Sequence, residues 1–280
     1  MFRIWIKSAI SSSSKKREGF VLIPTYAIAN QKGGVGKTTT SINLAASLAH
    51  LGERVLLVDF DPQGNTTTGS GVEKNDLTRT VYDVLVGLAP AQEVLIPCAG
   101  AGYDLLPANG DLTAAEIELM QIPGKEKRLQ TELQKLGSQY DIIIIDCPPA
   151  LSMLTINALV ASDKVIIPMQ CEYYALEGLS ALVDTIAQIS KLYNPVLRVE
   201  GILRTMYDPR NSLTNEVSNQ LHTHFGNRVY RTVIPRNVRL AEAPSYGQAI
   251  LQYDRGSKGT AAYLGMASEL LRRIEQRKNT

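Results

Sequence analysis

Short apolar runs and stretches of helical period take turns along this chain. The apolar runs at residues 26–29, 54–60, 141–146, 164–169, 199–206 and 228–234 read as strands. Two of them, R-V-L-L-V-D-F at 54–60 and D-I-I-I-I-D at 141–146, are apolar at consecutive positions, as buried parallel strands are. Residues 94–97 and 103–107 read as shorter strands or extended segments. Helical spacing begins after residue 36, where Ile42, Leu44, Ala45, Leu48 and Leu51 recur until Gly52 ends the pattern. Further helices are predicted at 80–86, 112–120, 126–136, 177–192, 213–225 and 259–278. The last of these puts Leu264, Ala267, Leu270, Leu271 and Ile274 on one face. No internal repeat is visible.

At 280 residues, the chain is long enough for one large domain or two small ones around a substantial core. With 44% hydrophobic and 20% charged residues it has the make-up of an ordinary globular protein. No apolar run approaches the roughly 18 residues that span a bilayer. Cys98, Cys147 and Cys171 form no C-x-x-C pair, which argues against a disulfide framework, a structural zinc site or a cluster of the usual cysteine spacing and suits a reducing cytosol. The net charge of +2 is unevenly placed. Residues 1–200 hold 17 Lys and Arg against 21 Asp and Glu, whereas residues 201–280 hold 12 against 6. Ten of those twelve cations are arginine, so the last third is either a polyanion surface or a scattered solvated face. Residues 1–20 mix a few apolar positions with Ser11–Ser14 and a basic run at 15–17, too interrupted for a signal peptide. They are expected to be a disordered extension ahead of one domain over residues 21–280.

Candidate chemistry concentrates at residues 28–40, I-A-N-Q-K-G-G-V-G-K-T-T-T. A strand, a glycine-rich loop and a helix in that order are what a phosphate cradle needs. Glycines let backbone N–H groups turn inward around an anion, and the helix N-terminus adds its positive dipole. The cradle spans Gly33, Gly34, Val35, Gly36, Lys37, Thr38 and Thr39. Lys37 supplies a point charge for β- and γ-phosphates, and the Thr38 hydroxyl can ligate Mg²⁺. The generic pattern has glycine where Gln31 stands, and here a second lysine, Lys32, follows. In this the stretch resembles the deviant Walker A ATPases, the ParA/MinD class of dimerising P-loop enzymes. The resemblance implies that Lys32 reaches across a dimer interface to the partner's nucleotide and serves catalysis there. The alternative for Lys32 is a solvated lysine beside a phosphate site.

The strand at 54–60 runs into D-F-D-P-Q-G-N, residues 59–65, and then a Thr/Ser/Gly-rich loop to Gly71. Carboxylates at i and i+2 on a strand's C-terminal end lie where open α/β sheets bind ligands. Such a pair also serves as a helix cap or turn, but the Pro-Gln-Gly-Asn tail favours a switch loop, and the string resembles ParA closely. Asp146-Cys147-Pro148-Pro149 resembles a Walker B strand end, where an aspartate holds a Mg²⁺-bound water. Asp59 and Asp146 are thus expected on the metal side with Thr38. Cys147 stands where many P-loop ATPases carry a water-positioning glutamate, which points back to Asp61 for catalysis. Cys147 itself reads as a small buried residue.

Residues 234–250, I-P-R-N-V-R-L-A-E-A-P-S-Y-G-Q-A-I, are nearly a ParA signature. By that resemblance Pro235 and Asn237 lie against adenine, and Arg239 and Arg210 face DNA; without it both arginines are ordinary surface residues. The resemblance covers roughly residues 25–275 and is strongest to the chromosomal, Soj-type branch. It implies a single-domain α/β P-loop NTPase with a mostly parallel twisted sheet flanked by helices. It further implies ATP and Mg²⁺ as cofactors, an ATP-dependent homodimer, non-specific DNA binding and a ParB-type partner that stimulates hydrolysis. The role would be chromosome or plasmid partition, cytoplasmic and nucleoid-associated, with no membrane partner. A MinD-like membrane ATPase is the first rival, yet the C-terminal helix lacks aromatic anchors and a Gly-rich linker. An electron-transfer or metallocluster-assembly ATPase is the second, and would need paired cysteines.

Overall fold

Four consecutive isoleucines mark the middle of the sheet. In the computed structural model, which describes residues 23–278, they form β5 (Ile142–Asp146). The expectation for residues 1–20 falls outside the described residues. Along the chain, β1 (Thr25–Ile28) passes through the glycine loop into α1 (Lys37–His50), and β2 (Val55–Asp59) leads to α2 (Asn65–Gly69) and α3 (Val81–Val86). Then come β3 (Ile96–Cys98), β4 (Tyr103–Leu106), α4 (Leu112–Leu119) and α5 (Arg128–Lys135) before β5. The second half runs α6 (Met153–Ala161), β6 (Lys164–Gln170), α7 (Ala175–Leu192), β7 (Arg198–Tyr207), α8 (Ser212–Phe225) and β8 (Val229–Pro235). Three helices close the described chain: α9 (Val238–Glu242), α10 (Ile250–Tyr253) and α11 (Lys258–Lys278).

The strands lie in the order β3-β4-β2-β5-β1-β6-β7-β8. All neighbours are parallel except the edge pair β3–β4, which is antiparallel. Side chains alternate across a strand, so the isoleucines of β5 divide between two layers. Ile142 and Ile144 pack with Ile42, Leu44 and Leu48 of α1 and Tyr263, Met266 and Leu270 of α11. Ile143 and Ile145 pack with Leu85, Leu133, Leu154 and Leu182 on the helices of the other face. Burying each isoleucine contributes about 1.5–3 kcal/mol, which is why a polar residue anywhere in the run would break the pattern. The chain leaves β1, crosses to β2 on one side and later brings β6 to the other, so a crevice opens above the C-terminal end of β1. Register sets the ends of the three central strands level, with Asp146 opposite both Ile28 and Asp59.

Four local expectations change. The stretch after Asn65 is a helix, α2, rather than loop, because tertiary bonds hold it. The helix expected over 126–136 begins as a 3₁₀ turn, Lys125–Lys127, before α5. Helix α6 has no counterpart among the predicted helices; it follows Pro148 and Pro149 and is capped by Ser152, whose Oγ accepts the Leu154 N–H at 3.3 Å. On α11 the buried line runs through Tyr263, Met266, Ala267 and Leu270, with Leu264 only half-buried. That helix packs on β8 and α1, and among the described residues no helix is long and apolar enough to cross a membrane.

Candidate functional site

The glycine loop closes over the end of β1 because its backbone takes turns that other residues resist. Gly34 and Gly36 have φ of 71° and 86°, in the left-handed region. The loop is tied down from outside. Asn30 Nδ2 donates to Pro168 O at 2.8 Å, Asn30 Oδ1 accepts the Lys32 N–H at 2.9 Å, and Thr205 Oγ1 donates to Val35 O at 2.8 Å. Gly36 stands at the start of α1 with no side-chain cap, so the first-turn N–H groups face the loop's interior as an anion seat. Lys37 is buried; its Nζ reaches Lys32 O at 3.3 Å. Burial pulls its ammonium pKa down, opposed chiefly by the charge of Asp146.

Asp59 and Asp146 are fully buried side by side at the ends of β2 and β5. Asp146 Oδ2 accepts from Thr38 Oγ1 at 2.8 Å and Thr66 Oγ1 at 2.6 Å, and its Oδ1 accepts from Ser41 Oγ at 2.8 Å. Asp59 Oδ2 accepts from Thr67 N and Thr67 Oγ1, both at 2.7 Å, and its Oδ1 accepts from Asp61 N at 3.2 Å. Burial raises both carboxyl pKa values, the Asp146 charge adds to the rise at Asp59, and the hydroxyl bonds oppose it. On each carboxylate one oxygen has two donors and the other has one, so an acceptor position remains on each Oδ1. Two adjacent buried carboxylates, a threonine hydroxyl and an anion seat beside them fit Mg²⁺. That ion takes one or two carboxylates and completes its shell with waters and phosphate.

Asp61, half-buried, follows two residues later, and its Oδ1 accepts the Gln63 N–H at 3.0 Å to form a turn. Its charge acts on both Lys37 and Asp146. Gly33 and Thr39 lie where expected, at the mouth of the loop and in the first turn of α1. Cys147 is completely buried and burial drives its thiol pKa up, so it is no nucleophile. Lys32 is exposed and ion-paired with Glu172, just past β6. Pro235 ends β8, and Asn237 caps α9 by accepting the Leu240 N–H at 3.2 Å. The two arginines are exposed. Arg239 on α9 pairs with Glu242 at 2.8 Å and Asp254 at 3.6 Å. Arg210, in the turn after β7, donates twice to Asp208, at 2.9 and 2.8 Å, and holds that carboxyl down at about 2. Nothing in the sequence singles out Ser41 or Thr205, and Thr66 and Thr67 read there only as part of a loop. For Thr66 and Thr67 the one signal is the run of three threonines after Asn65.

A family model described as an AAA domain matches residues 24–199. The chain is 53% identical over 244 residues to the sporulation initiation inhibitor protein Soj of Bacillus subtilis, covering 87% of this chain and 96% of that protein. To the chromosome-partitioning ATPase Soj of Thermus thermophilus it is 51% identical over 250 residues, 89% and 96% of the two chains. It superposes with a TM-score of 0.78 and 37% identity on cobyrinic acid a,c-diamide synthase from Mycobacterium smegmatis with bound ATP analogue and magnesium, covering 91% and 96%. With the strand–loop–helix cradle and the level carboxylates beside it, these likenesses have one meaning: the chain belongs to the Soj/ParA family of P-loop chromosome-partitioning ATPases.

Proposed function

We propose that this chain is an ATP-hydrolysing switch for chromosome or plasmid partitioning. The observation that carries the reading is the buried Asp59–Asp146 pair, of which Asp146 is bonded to Thr38 and Ser41 of α1 and acts by its charge on Lys37. ATP is the substrate. Its phosphates fit the N–H groups of Gly33, Gly34, Val35, Gly36 and the first turn of α1 with Lys37, and its base fits Pro235 and Asn237. Thr38, Asp59 and Asp146 would hold Mg²⁺, which when bound would supply charge neutralisation of the phosphates. Asp61 orients the attacking water, its turn bond with Gln63 setting the carboxylate's direction. In the proposed dimer Lys32 exchanges its intramolecular partner Glu172 for the nucleotide of the second subunit.

Arg210 and Arg239 are the DNA contacts of this reading, and both are already paired with carboxylates, so phosphate has to displace Asp208, Glu242 and Asp254. The contact is with backbone phosphate and reads no sequence. A ParB-type partner accelerates hydrolysis, and the setting is the cytoplasm and its nucleoid. The test is retention on non-specific DNA with ATP, with ADP and without nucleotide, alongside Arg239→Glu. Retention only with ATP, lost in Arg239→Glu while dimerisation persists, supports the switch. Equal retention in all three states would refute it.

A further inference from the structure

Helix α2 has almost nothing of its own to hold it. Its sequence, Asn-Thr-Thr-Thr-Gly, is poor in helix formers, and it starts at Gly64 with no side-chain cap. It is held chiefly by the two carboxylates of the metal side, and the Thr67 hydroxyl also accepts the Ala108 N–H at 2.9 Å. Thr67 gives both its N–H and its hydroxyl to Asp59, and Thr66 gives its hydroxyl to Asp146. Both threonines are fully buried, so no water substitutes for these bonds.

The other side of α2 meets the segment that follows Arg239. A Cβ at Gly69 would lie 2.6 Å from Ile42 Cδ1 and 3.6 Å from Pro244 Cβ. A Cβ at Gly247 would lie 2.6 Å from Gly71 Cα, and one at Gly71 would lie 2.9 Å from Gly247 O. Backbone thus rests directly on backbone, with no flexible side chain between to absorb a shift. Gly247 closes the turn Ala243–Tyr246, which continues directly from α9. Beyond it, Ile250 N donates to Asn43 Oδ1 of α1 at 2.6 Å, so the segment is anchored again on the phosphate helix.

We propose that Thr66 and Thr67 are positioning residues for the metal-side carboxylates, and that α2 carries the state of those carboxylates through the Gly71–Gly247 contact to the segment bearing Arg239. The inference rests on the reading of Asp59 and Asp146 as the Mg²⁺ site. A cation between them keeps both like-charged groups in place as acceptors. Without it nothing offsets the repulsion between two adjacent carboxylates, and the bonds to Thr66 and Thr67 form with less to fix their acceptors. The route runs within one subunit and does not need the dimer. By linkage, an ordered Arg239 segment in turn favours metal binding.

Amide hydrogen exchange on the full chain, saturated with ADP and held in either EDTA or Mg²⁺, tests this. ADP is present in both arms, so the difference belongs to the metal. In the wild type Mg²⁺ should slow exchange at residues 66–71 and 243–250 by about tenfold, the scale of one charged hydrogen bond. Thr67→Val should lose the slowing at 243–250, Thr66→Val should lose part of it, and Thr67→Ser should restore it. A wild type in which Mg²⁺ slows residues 59–61 and 146 but not 243–250 overturns the inference while leaving the metal site standing. So does Thr67→Val with the full effect. If Mg²⁺ slows neither region, the metal assignment itself falls and the inference with it.

Discussion

Thr205 offers a sharp test of how the phosphate loop is held. Its hydroxyl is the outside donor to Val35 O, at 2.8 Å, and the residue is 2% exposed. Thr205→Val keeps the shape and removes that donor, leaving a loop carbonyl with no water to replace it. Losing a neutral hydrogen bond costs about 0.5–1.5 kcal/mol, and leaving its buried acceptor unsatisfied brings the total to roughly 1–3 kcal/mol. Val35 belongs to the peptide that aims N–H groups at phosphate, so about half of that cost should appear in nucleotide binding. ADP affinity should fall about three- to tenfold, with the remainder lowering Tm by a few degrees. Thr205→Ser should recover both. The measurements are titration calorimetry and thermal melts on the same preparations, with KM and kcat to separate binding from turnover. KM should rise and kcat should hold. A Thr205→Val protein that melts lower but binds ADP like the wild type would make the bond mere scaffolding and refute the argument.

Gly33 is exposed, lies outside the left-handed region, and a Cβ there would meet nothing within 4 Å. Gly33→Val should therefore fold and melt like the wild type yet fail to form an ATP-dependent dimer in light scattering; dimerisation would remove the close approach of a partner at this loop. Asp61→Ala should slow hydrolysis by about 10²–10⁴-fold, as loss of a proton-accepting, water-orienting group does, and prolong retention on DNA; unchanged turnover would move the role elsewhere. Asp141 is held down at about 2 by its hydrogen bonds from Arg54, below an ordinary value of 3.8. Because the folded value is the lower one, the pair's contribution is complete above pH 4 and fades as pH falls through about 2. Asp141→Asn should flatten that part of the acid unfolding curve, and an unchanged curve would count against it.

What could be read from the chain alone was local and consecutive. The glycine loop, the apolar runs of β2 and β5 and the aspartates that end them are each written within a few residues, so the candidate cradle and its carboxylates are legible in the chain. Helix α2 reads as loop because threonine and glycine favour no helix; its stability comes from carboxylates at Asp59 and Asp146, the latter 80 residues from Thr66. The second tie on the phosphate loop was hidden for the same reason, since Thr205 and Val35 are 170 residues apart. The sequence does not predict α6, because its apolar residues surround it, buried between the sheet and α5 and α7, and so show no polar face. The carboxylate partners of Arg210 and Arg239 lie close in sequence, yet whether a surface arginine is paired depends on side-chain geometry that spacing leaves open.

The strand order also sets a timetable for the protein's birth. β1 and the phosphate loop emerge first, but their neighbour β5 lies more than a hundred residues further on, and β6, β7 and β8 later still. At about 5–20 residues per second, the loop waits roughly 5–20 s on the ribosome before the first strand that flanks it has been made. For that time Thr25–Ile28 has two unpaired parallel edges and the aspartate of β5 does not exist. Nucleotide cannot rescue the early chain, so a nascent protein of this topology depends on whatever shields apolar strands near the exit tunnel.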